Sequence, residues 1–351
     1  MKLYFSFAAF FAALVITLSC NKVIESPALV AEDVLLTLSV DLAGNLSKAS
    51  STVSEPVETA ITDVQILIFD SSNRIAAYLS NGVSMNASVT LKEGTYLAAA
   101  VLNGPNLSSV ASLSELRSTT APLSQYNSTS SSFVMYGEKS SINLVKNGNN
   151  SSVIQASRLV SRVRLVSVRN ESPAALGSLL LKDVFLSNVV GNQNLYGNES
   201  PSLYYNMYGR SDIANTSSII NGLSFKATPE NLTYTSLSSQ SVAHSSTLTC
   251  GQNFYSYPNP AQDVVTSYSS SWTPTALRLV LKASLDGRDY YYPVALPSAS
   301  ANTSYDVRIT VRGTGLDDPQ GDIKDLTDKG TVNVSVNIAD WNSGNEFSVV
   351  Y

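Results

Sequence analysis

Near its start the chain alternates. Val34, Leu36, Leu38, Val40 and Leu42 occupy every second position, with Thr37, Ser39 and Asp41 between them. This two-residue period, broken only by Leu35 on the polar side, predicts a β-strand with one face turned to a core. Gly44-Asn45 ends it, and Leu46 to Thr59 reads as a loop rich in Ser, Thr and Glu, with Pro56. A second strand is predicted over 61–69, and the turn Asp70-Ser71-Ser72-Asn73 leads to a third near 75–79. Further strands are predicted at 88–91, 95–102 and 141–145, with a short helix over 113–117. The polar run Asn147-Gly148-Asn149-Asn150-Ser151-Ser152 reads as a domain boundary. Beyond it, 159–168 and 179–190 read as strands. The stretch 192–271, rich in Ser, Asn, Tyr and Pro, reads as long loops with short strands. Regular strands return at 277–283, 290–296, 305–312 and 331–338. The tail alternates again, with Phe347, Val349 and Tyr351 on one face. Many short strands, frequent turn signals and few helices predict an all-β protein built of β-sandwiches.

The first twenty residues depart from this pattern. Met1-Lys2 opens an apolar run from Leu3 to Leu18, followed by Ser19-Cys20 and the polar Asn21-Lys22. A charged start, an apolar centre and a small residue before the cut describe a secretory signal over residues 1–19. The run is too short to span a bilayer well, and no second run approaches that length. A cysteine directly after the cut predicts a lipoprotein, with Cys20 as the acylated mature N-terminus. Residues 21–31 then serve as a polar linker.

Composition narrows the function. Charged residues make up 14% of the chain, against about 25% in typical globular proteins. The net charge of −5 argues against nucleic acid, whose partners carry basic patches. The cysteines are Cys20 and Cys250 alone. With Cys20 acylated, no disulfide framework forms, and Cys250 reads as a small buried hydrophobe. The sole histidine, His244, lies in a Ser-rich stretch. No metal-ligand spacing, phosphate loop or nucleophile elbow accompanies it. The chain therefore reads as a non-enzyme without a cofactor. The acidic loop Asp317-Asp318-Pro319-Gln320-Gly321-Asp322 lacks the ordered ligand spacing of a calcium loop and reads as a solvated turn.

The two ends form a complementary pair. An unpaired alternating tail exposes apolar side chains and a free hydrogen-bonding edge. It serves either as the last strand of its own domain or as a strand added to another copy. The in-facing aliphatics of the first strand represent on the order of 10 kcal/mol of gross burial, so removing that strand leaves an apolar groove to refill. Lys48 is the only Lys or Arg between Lys22 and Arg74. A protease specific for basic residues has one address there, and a cut at it also removes the lipid. The alternative is that Lys48 is an ordinary solvated charge.

The order of these features resembles the fimbrillins, the stalk-forming subunits of type V pili of Bacteroidales. The resemblance rests on the lipoprotein start and on the block Leu36-Thr37-Leu38-Ser39-Val40. It continues through Ile61–Asp70, Gly94–Asn103 and Ser161-Arg162-Val163-Arg164-Leu165. It is strongest in the closing region: Tyr291-Tyr292-Pro293-Val294, Tyr305–Gly315, Asp318-Pro319 and Val334-Ser335-Val336 before Asp340-Trp341. The resemblance implies two transthyretin-like β-sandwich domains. On this chain a signal peptide at 1–19 and a propeptide with a removable first strand at 20–48 precede the two domains, at 49–155 and 156–351. It implies export as an outer-membrane lipoprotein, processing after Lys48, and donation of the terminal strand (Phe347, Val349, Tyr351) into the groove vacated by Val34, Leu36, Leu38, Val40 and Leu42. The implied partners are further copies in a head-to-tail polymer, other fimbrial subunits (anchor and tip), a maturation protease, and a host or bacterial surface ligand. The family's processing is arginine-specific, so Lys48 departs from its pattern. The competing reading is a surface lipoprotein that binds glycans and never polymerises. Tyr204, Tyr205 and Tyr208 would form its aromatic platform, tryptophan being limited to Trp272 and Trp341.

Overall fold

A computed structural model describes residues 32–43, 58, 60–126, 132–198, 200–205, 218–220, 223–226, 232–263, 275–296, 298–319, 321–322, 332–340 and 347–350. The first part of the chain contains β1 (Asp33–Leu42), β2 (Val64–Phe69), β3 (Ile75–Ser80), β4 (Asn86–Lys92) and β5 (Gly94–Leu102). Helix α1 (Leu113–Ser118), β6 (Thr120–Pro122), the single-turn α2 (Leu123–Tyr126), β7 (Met135–Leu144) and β8 (Ser151–Arg158) follow. Seven of these strands form one sheet in the order β3-β2-β5-β7-β8-β1-β4.

This sheet turns a corner at β7. That strand runs beside β5 from Gly94↔Leu144 to Leu102↔Met135 but meets β8 only at Met135↔Arg158 and Tyr136↔Ser157. Gly137 sits at the corner, where an added Cβ would lie 2.1 Å from the Gln155 carbonyl oxygen. Only a residue without a side chain lets the strands pass so closely. The fold-over brings β1 against β2 and β5. Val34, Leu36, Leu38 and Val40 share one buried cluster with Val64, Ile66, Ile68, Ala98 and Ala100. The opposite face of β2 is buried too: Leu67 and Phe69 join Leu113 and Leu116 of α1 in a second cluster. Burial on both faces explains why β2 is a continuous apolar run rather than an alternating one. Helix α1 starts where the Ser112 hydroxyl accepts from the Glu115 backbone N–H at 3.2 Å, a side-chain N-cap.

The polar run 147–152 is the turn joining β7 to β8, with Asn147 in the left-handed region (φ 58°). The Asn150 side chain closes it through the backbone N–H and carbonyl of Val145, at 3.1 and 2.9 Å. The first sheet therefore continues through Arg158, and the chain crosses to the second sandwich at Leu159-Val160. Strand β8 carries Ile154, Ala156 and Arg158 on its buried side, too few large aliphatics for its alternation to stand out.

The second part contains β9 (Ser161–Asn170), β10 (Leu179–Ser187), β11 (Val189–Val190), β12 (Asn192–Asn194), β13 (Leu203–Tyr205), β14 (Ser218–Ile220) and β15 (Leu223–Lys226). It continues with β16 (Tyr234–Val242), β17 (Thr247–Ser256), β18 (Leu277–Leu285), β19 (Arg288–Leu296), β20 (Thr303–Val311), β21 (Val332–Asp340) and β22 (Phe347–Val350). One sheet runs β17-β9-β20-β21-β22 and another β16-β10-β18-β19. Leu165, Val307 and Ile309 of the first share a cluster with Leu181, Leu279 and Leu281 of the second. The long strands β16 and β17, which follow one another in the chain but pair into different sheets, β16 with β10 and β17 with β9, correct the expectation of loops and short strands over this stretch. Both are edge strands, and β16 buries only Leu237 and Val242. An edge strand facing water needs few apolar positions, so its periodicity is faint. The strand expected over 179–190 is interrupted at Asn188, whose φ is 59°.

The two sandwiches share their interior. The cluster holding Leu67 and Phe69 extends through Phe133, Val134, Leu159 and Val160 to Val163 and Leu165. A short antiparallel ladder pairs β6 with β12 across the seam. Beside it the Arg117 guanidinium bridges Glu138 at 2.5 Å and stacks 4.3 Å from the centre of the Tyr196 ring.

The burial pattern of β1 gives a direct test. Leu36 is fully buried and Leu35 is 60% exposed. Leu36→Ala is expected to cost about 2–5 kcal/mol of stability and Leu35→Ala no more than about 0.5 kcal/mol, read from urea denaturation of the two variants.

Candidate functional site

The candidate site is the slot that β1 fills. On one side β1 pairs antiparallel with β4, from Asp33↔Lys92 to Ser39↔Asn86. On the other it pairs parallel with β8, from Thr37↔Ser151 to Leu42↔Ala156. Backbone bonds beyond the ladders close both ends: Glu93 N–H donates to the Glu32 carbonyl at 2.9 Å, and Ala43 N–H to the Ala156 carbonyl at 2.7 Å. Ion pairs Lys92–Asp33 and Lys146–Glu32 lie on the solvent side, where such pairs contribute little.

Two consequences follow from the strand order. Among the described residues, strand β4 has β1 as its sole ladder partner, and β8 is otherwise joined to β7 at two residue pairs. Without β1, β4 keeps no ladder and β8 almost none. The slot is also apolar within. Val34, Leu36, Leu38 and Val40 are buried, whereas Leu42 is half-buried at the slot's end. Those four side chains represent roughly 6–12 kcal/mol of gross burial.

Lys48 lies outside the described residues, as does Cys20. Further along the chain, Glu58 is buried between the sandwiches. Its carboxylate accepts from the Arg162 guanidinium at 2.6 Å and from the Tyr255 hydroxyl at 2.5 Å. Its carbonyl accepts from Arg158 at 3.2 and 3.4 Å. Asn103, held at φ 55°, secures the following residues. Its side-chain oxygen accepts from the Thr62 N–H (2.8 Å) and hydroxyl (2.9 Å), and its amide donates to the carbonyls of Ala60 (2.9 Å) and Phe133 (3.1 Å). Sequence reasoning missed Glu58, which reads as one acidic residue in a polar loop. Its partners stand 100 or more positions away, and no local signal marks them.

The terminal strand β22 lies at the edge of the second domain's sheet. It pairs with β21 from Ile338↔Phe347 to Ser335↔Val350. The backbone carrying Phe347 and Val349 thus has one ladder where β1 has two; Tyr351 lies outside the described residues.

The remaining singled-out residues serve the fold. His244 is exposed in the β16–β17 turn, where its Nδ1–H donates to the Ser172 carbonyl at 2.7 Å. Cys250 on β17 is half-buried, and burial pushes its thiol up to about 11. The acidic loop is not simply a solvated turn. Its Gly321 and Pro319 carbonyls accept from the fully buried Arg278 of β18 at 3.0 and 3.4 Å, beside the Arg278–Asp263 pair at 2.8 Å. The cation it receives is a guanidinium of its own chain. Among the described residues no group of three or more His, Cys, Asp or Glu side chains could hold a metal ion. The aromatic platform is corrected as well. Tyr204 and Tyr205 are buried, Tyr205 donates to the Ser124 hydroxyl at 3.2 Å, and burial pushes the Tyr204 hydroxyl up to about 12. Packing against the core removes both rings from solvent. Tyr208, Trp272 and Trp341 lie outside the described residues.

No protein-family profile matches the sequence, and no curated protein matches it. Solved structures do. A candidate cell adhesion protein from Bacteroides eggerthii is 16% identical with a TM-score of 0.62, covering 89% of this chain and 97% of its own. A fimbrilin (FimA) from Porphyromonas gingivalis is 12% identical with a TM-score of 0.60, covering 89% and 98%. The tip fimbrial protein Mfa3 from Porphyromonas gingivalis, with a C-terminal truncation, is 15% identical with a TM-score of 0.53, covering 88% and 100%. The chain therefore has the all-β, β-sandwich fold of these proteins over nearly its whole length.

The environment of Cys250 is open to measurement. A rise of the thiol from 9.0 to about 11 leaves about a hundredfold less thiolate at pH 8. Alkylation of Cys250 by iodoacetamide in a Cys20→Ser protein is expected to be slower than that of a free thiol by that factor, and to reach the free rate in denaturant.

Proposed function

We propose that this chain is a structural subunit of a cell-surface fimbria. It is exported as a lipoprotein on Cys20, cut after Lys48, and polymerised by a C-terminal strand that enters the slot of the next subunit. The observation that carries this reading is the position of β1 between β4 and β8, both of which depend on it. The fold shared with a fimbrilin and a tip fimbrial protein supports it.

The physical logic is one of exchange. Cutting the loop after β1 breaks none of β1's contacts. It changes β1 from part of the chain into a separate ligand, which loses the high effective concentration of a tethered segment. A strand from a neighbour then competes for the same two ladders, backbone bonds supplying affinity and alternate side chains filling the slot. The contact joins a tail to a slot, so it is heterologous and does not close, as an open polymer requires. An occupied slot before the cut prevents premature pairing. The maturation protease acts on lysine, anchor and tip subunits join at the ends, and the exposed loops supply adhesion to a host or bacterial surface. Burial of Tyr204 and Tyr205 tells against the glycan platform.

Purified proprotein treated with a lysine-specific protease is expected to give a ladder of oligomers on an unboiled gel. Lys48→Gln is expected to leave it monomeric, and so is removal of residues 346–351. Oligomers formed by either variant would refute the assignment of the cut or of the donor strand.

A further inference from the structure

Strand β8 is the wall of the slot with the least support of its own. Residues 151–156 pair with β1, and only Ser157 and Arg158 pair with β7. At that supported end stands Glu58. Arg158, the last residue of β8, donates to its carbonyl (3.2 and 3.4 Å). Arg162 of β9 and Tyr255 of β17 donate to its carboxylate (2.6 and 2.5 Å). Arg162 in turn donates to the Ser304 hydroxyl of β20 at 3.0 Å. Glu58 thus ties the end of β8 to three neighbouring strands of the second domain's sheet. Backbone ties there include Leu159 N–H to the Val134 carbonyl at 3.0 Å and Asn302 N–H to the Val160 carbonyl at 2.9 Å.

We propose that Glu58 is a positioning residue for strand exchange: it holds β8 in place while the slot is empty, so that an incoming strand meets a formed wall. This rests on the proposed removal of β1. While β1 is present, six residue pairs hold β8 and the Glu58 clamp adds little to its order. Once β1 has gone, the turn closed by Asn150 and Val145 holds one end of β8, and the two pairs to β7 and the clamp hold the other. A carboxylate held by the Arg162 guanidinium and the Tyr255 hydroxyl fixes the Glu58 backbone, whose carbonyl receives Arg158 of β8, and these contacts are charge-assisted, shielded from water and formed between distant parts of the chain. Strand β4 touches no part of the clamp and serves as an internal control.

Backbone hydrogen exchange tests the proposal. Wild type, Glu58→Gln and Tyr255→Phe are compared intact, and again after cutting at Lys48 and stripping residues 1–48 by gel filtration in mild denaturant. Tyr255→Phe deletes one hydrogen bond to the carboxylate and carries the comparison if Glu58→Gln does not fold. In the intact proteins, exchange over residues 151–156 is expected to agree within about twofold. In the stripped proteins the variants are expected to exchange there about tenfold faster than wild type, while residues 86–92 exchange alike in all. Equal exchange in stripped variants and stripped wild type overturns the proposal. So does the same acceleration in intact and stripped forms, which marks a general structural role, or a stripped wild type with no protection in β8. If residues 1–48 stay bound to the cut protein throughout, the removable strand itself is refuted, and this inference falls with it.

Discussion

In the first sandwich, β4 and β8 reach each other only through β1. A strand in that position cannot be absent without consequence. Backbone N–H and carbonyl groups on both neighbours lose their partners, and each buried polar group left unpaired costs about 1–3 kcal/mol. The apolar face makes the requirement stronger, since Val34, Leu36, Leu38 and Val40 complete a cluster lined by alanines at 98 and 100. Leaving Ala98 and Ala100 uncovered would open a cavity instead of allowing collapse, because the opposite face of β5 is already packed beneath α1. The slot thus has a definite shape, and only a strand satisfies it.

The joint between the sandwiches answers a different demand. Its apolar part is continuous with both cores, which resists bending. Its polar parts, Glu58 with Arg158 and Arg162 on one set of strands and Arg117 with Glu138 and Tyr196 on another, add direction. Buried ion pairs are weak as sources of stability but strict about geometry, since a misplaced partner leaves a charge without compensation. A subunit that transmits tension along a fibre gains from such a joint, because load on one domain reaches the other without a hinge.

The sequence carried the parts of this fold whose chemistry is local. Strand β1 announced itself by alternation and β2 by its apolar run. Strand β8 escaped because its inward positions are Ile154, Ala156 and Arg158, and a buried arginine reads as a surface residue until its partner is known. Strands β16 and β17 escaped because edge strands show mostly polar side chains to water. Tyr204 and Tyr205 looked like a binding surface because a tyrosine pair has the same letters in a core and on a platform. Glu58 and the Arg278 receptor loop were illegible for one shared reason: each joins residues far apart in the chain, and pairing at that distance leaves no periodic trace.

A comparison of lengths bears on how the proposed exchange can run forward. Strand β1 spans ten residues, whereas β22 spans four. The incoming strand therefore forms shorter ladders than the one it replaces, although it gives up only the single ladder to β21. Contact strength alone does not favour the swap. Concentration does. A cut segment that leaves with its lipid is diluted, and each tenfold dilution adds about 1.4 kcal/mol against its return. The neighbour's tail arrives attached to a whole subunit, whose further contacts hold it near the slot. Under the proposed lipidation of Cys20, the lipid would drive assembly as well as anchor the precursor: it would draw the displaced strand away into a membrane and make the exchange irreversible in practice.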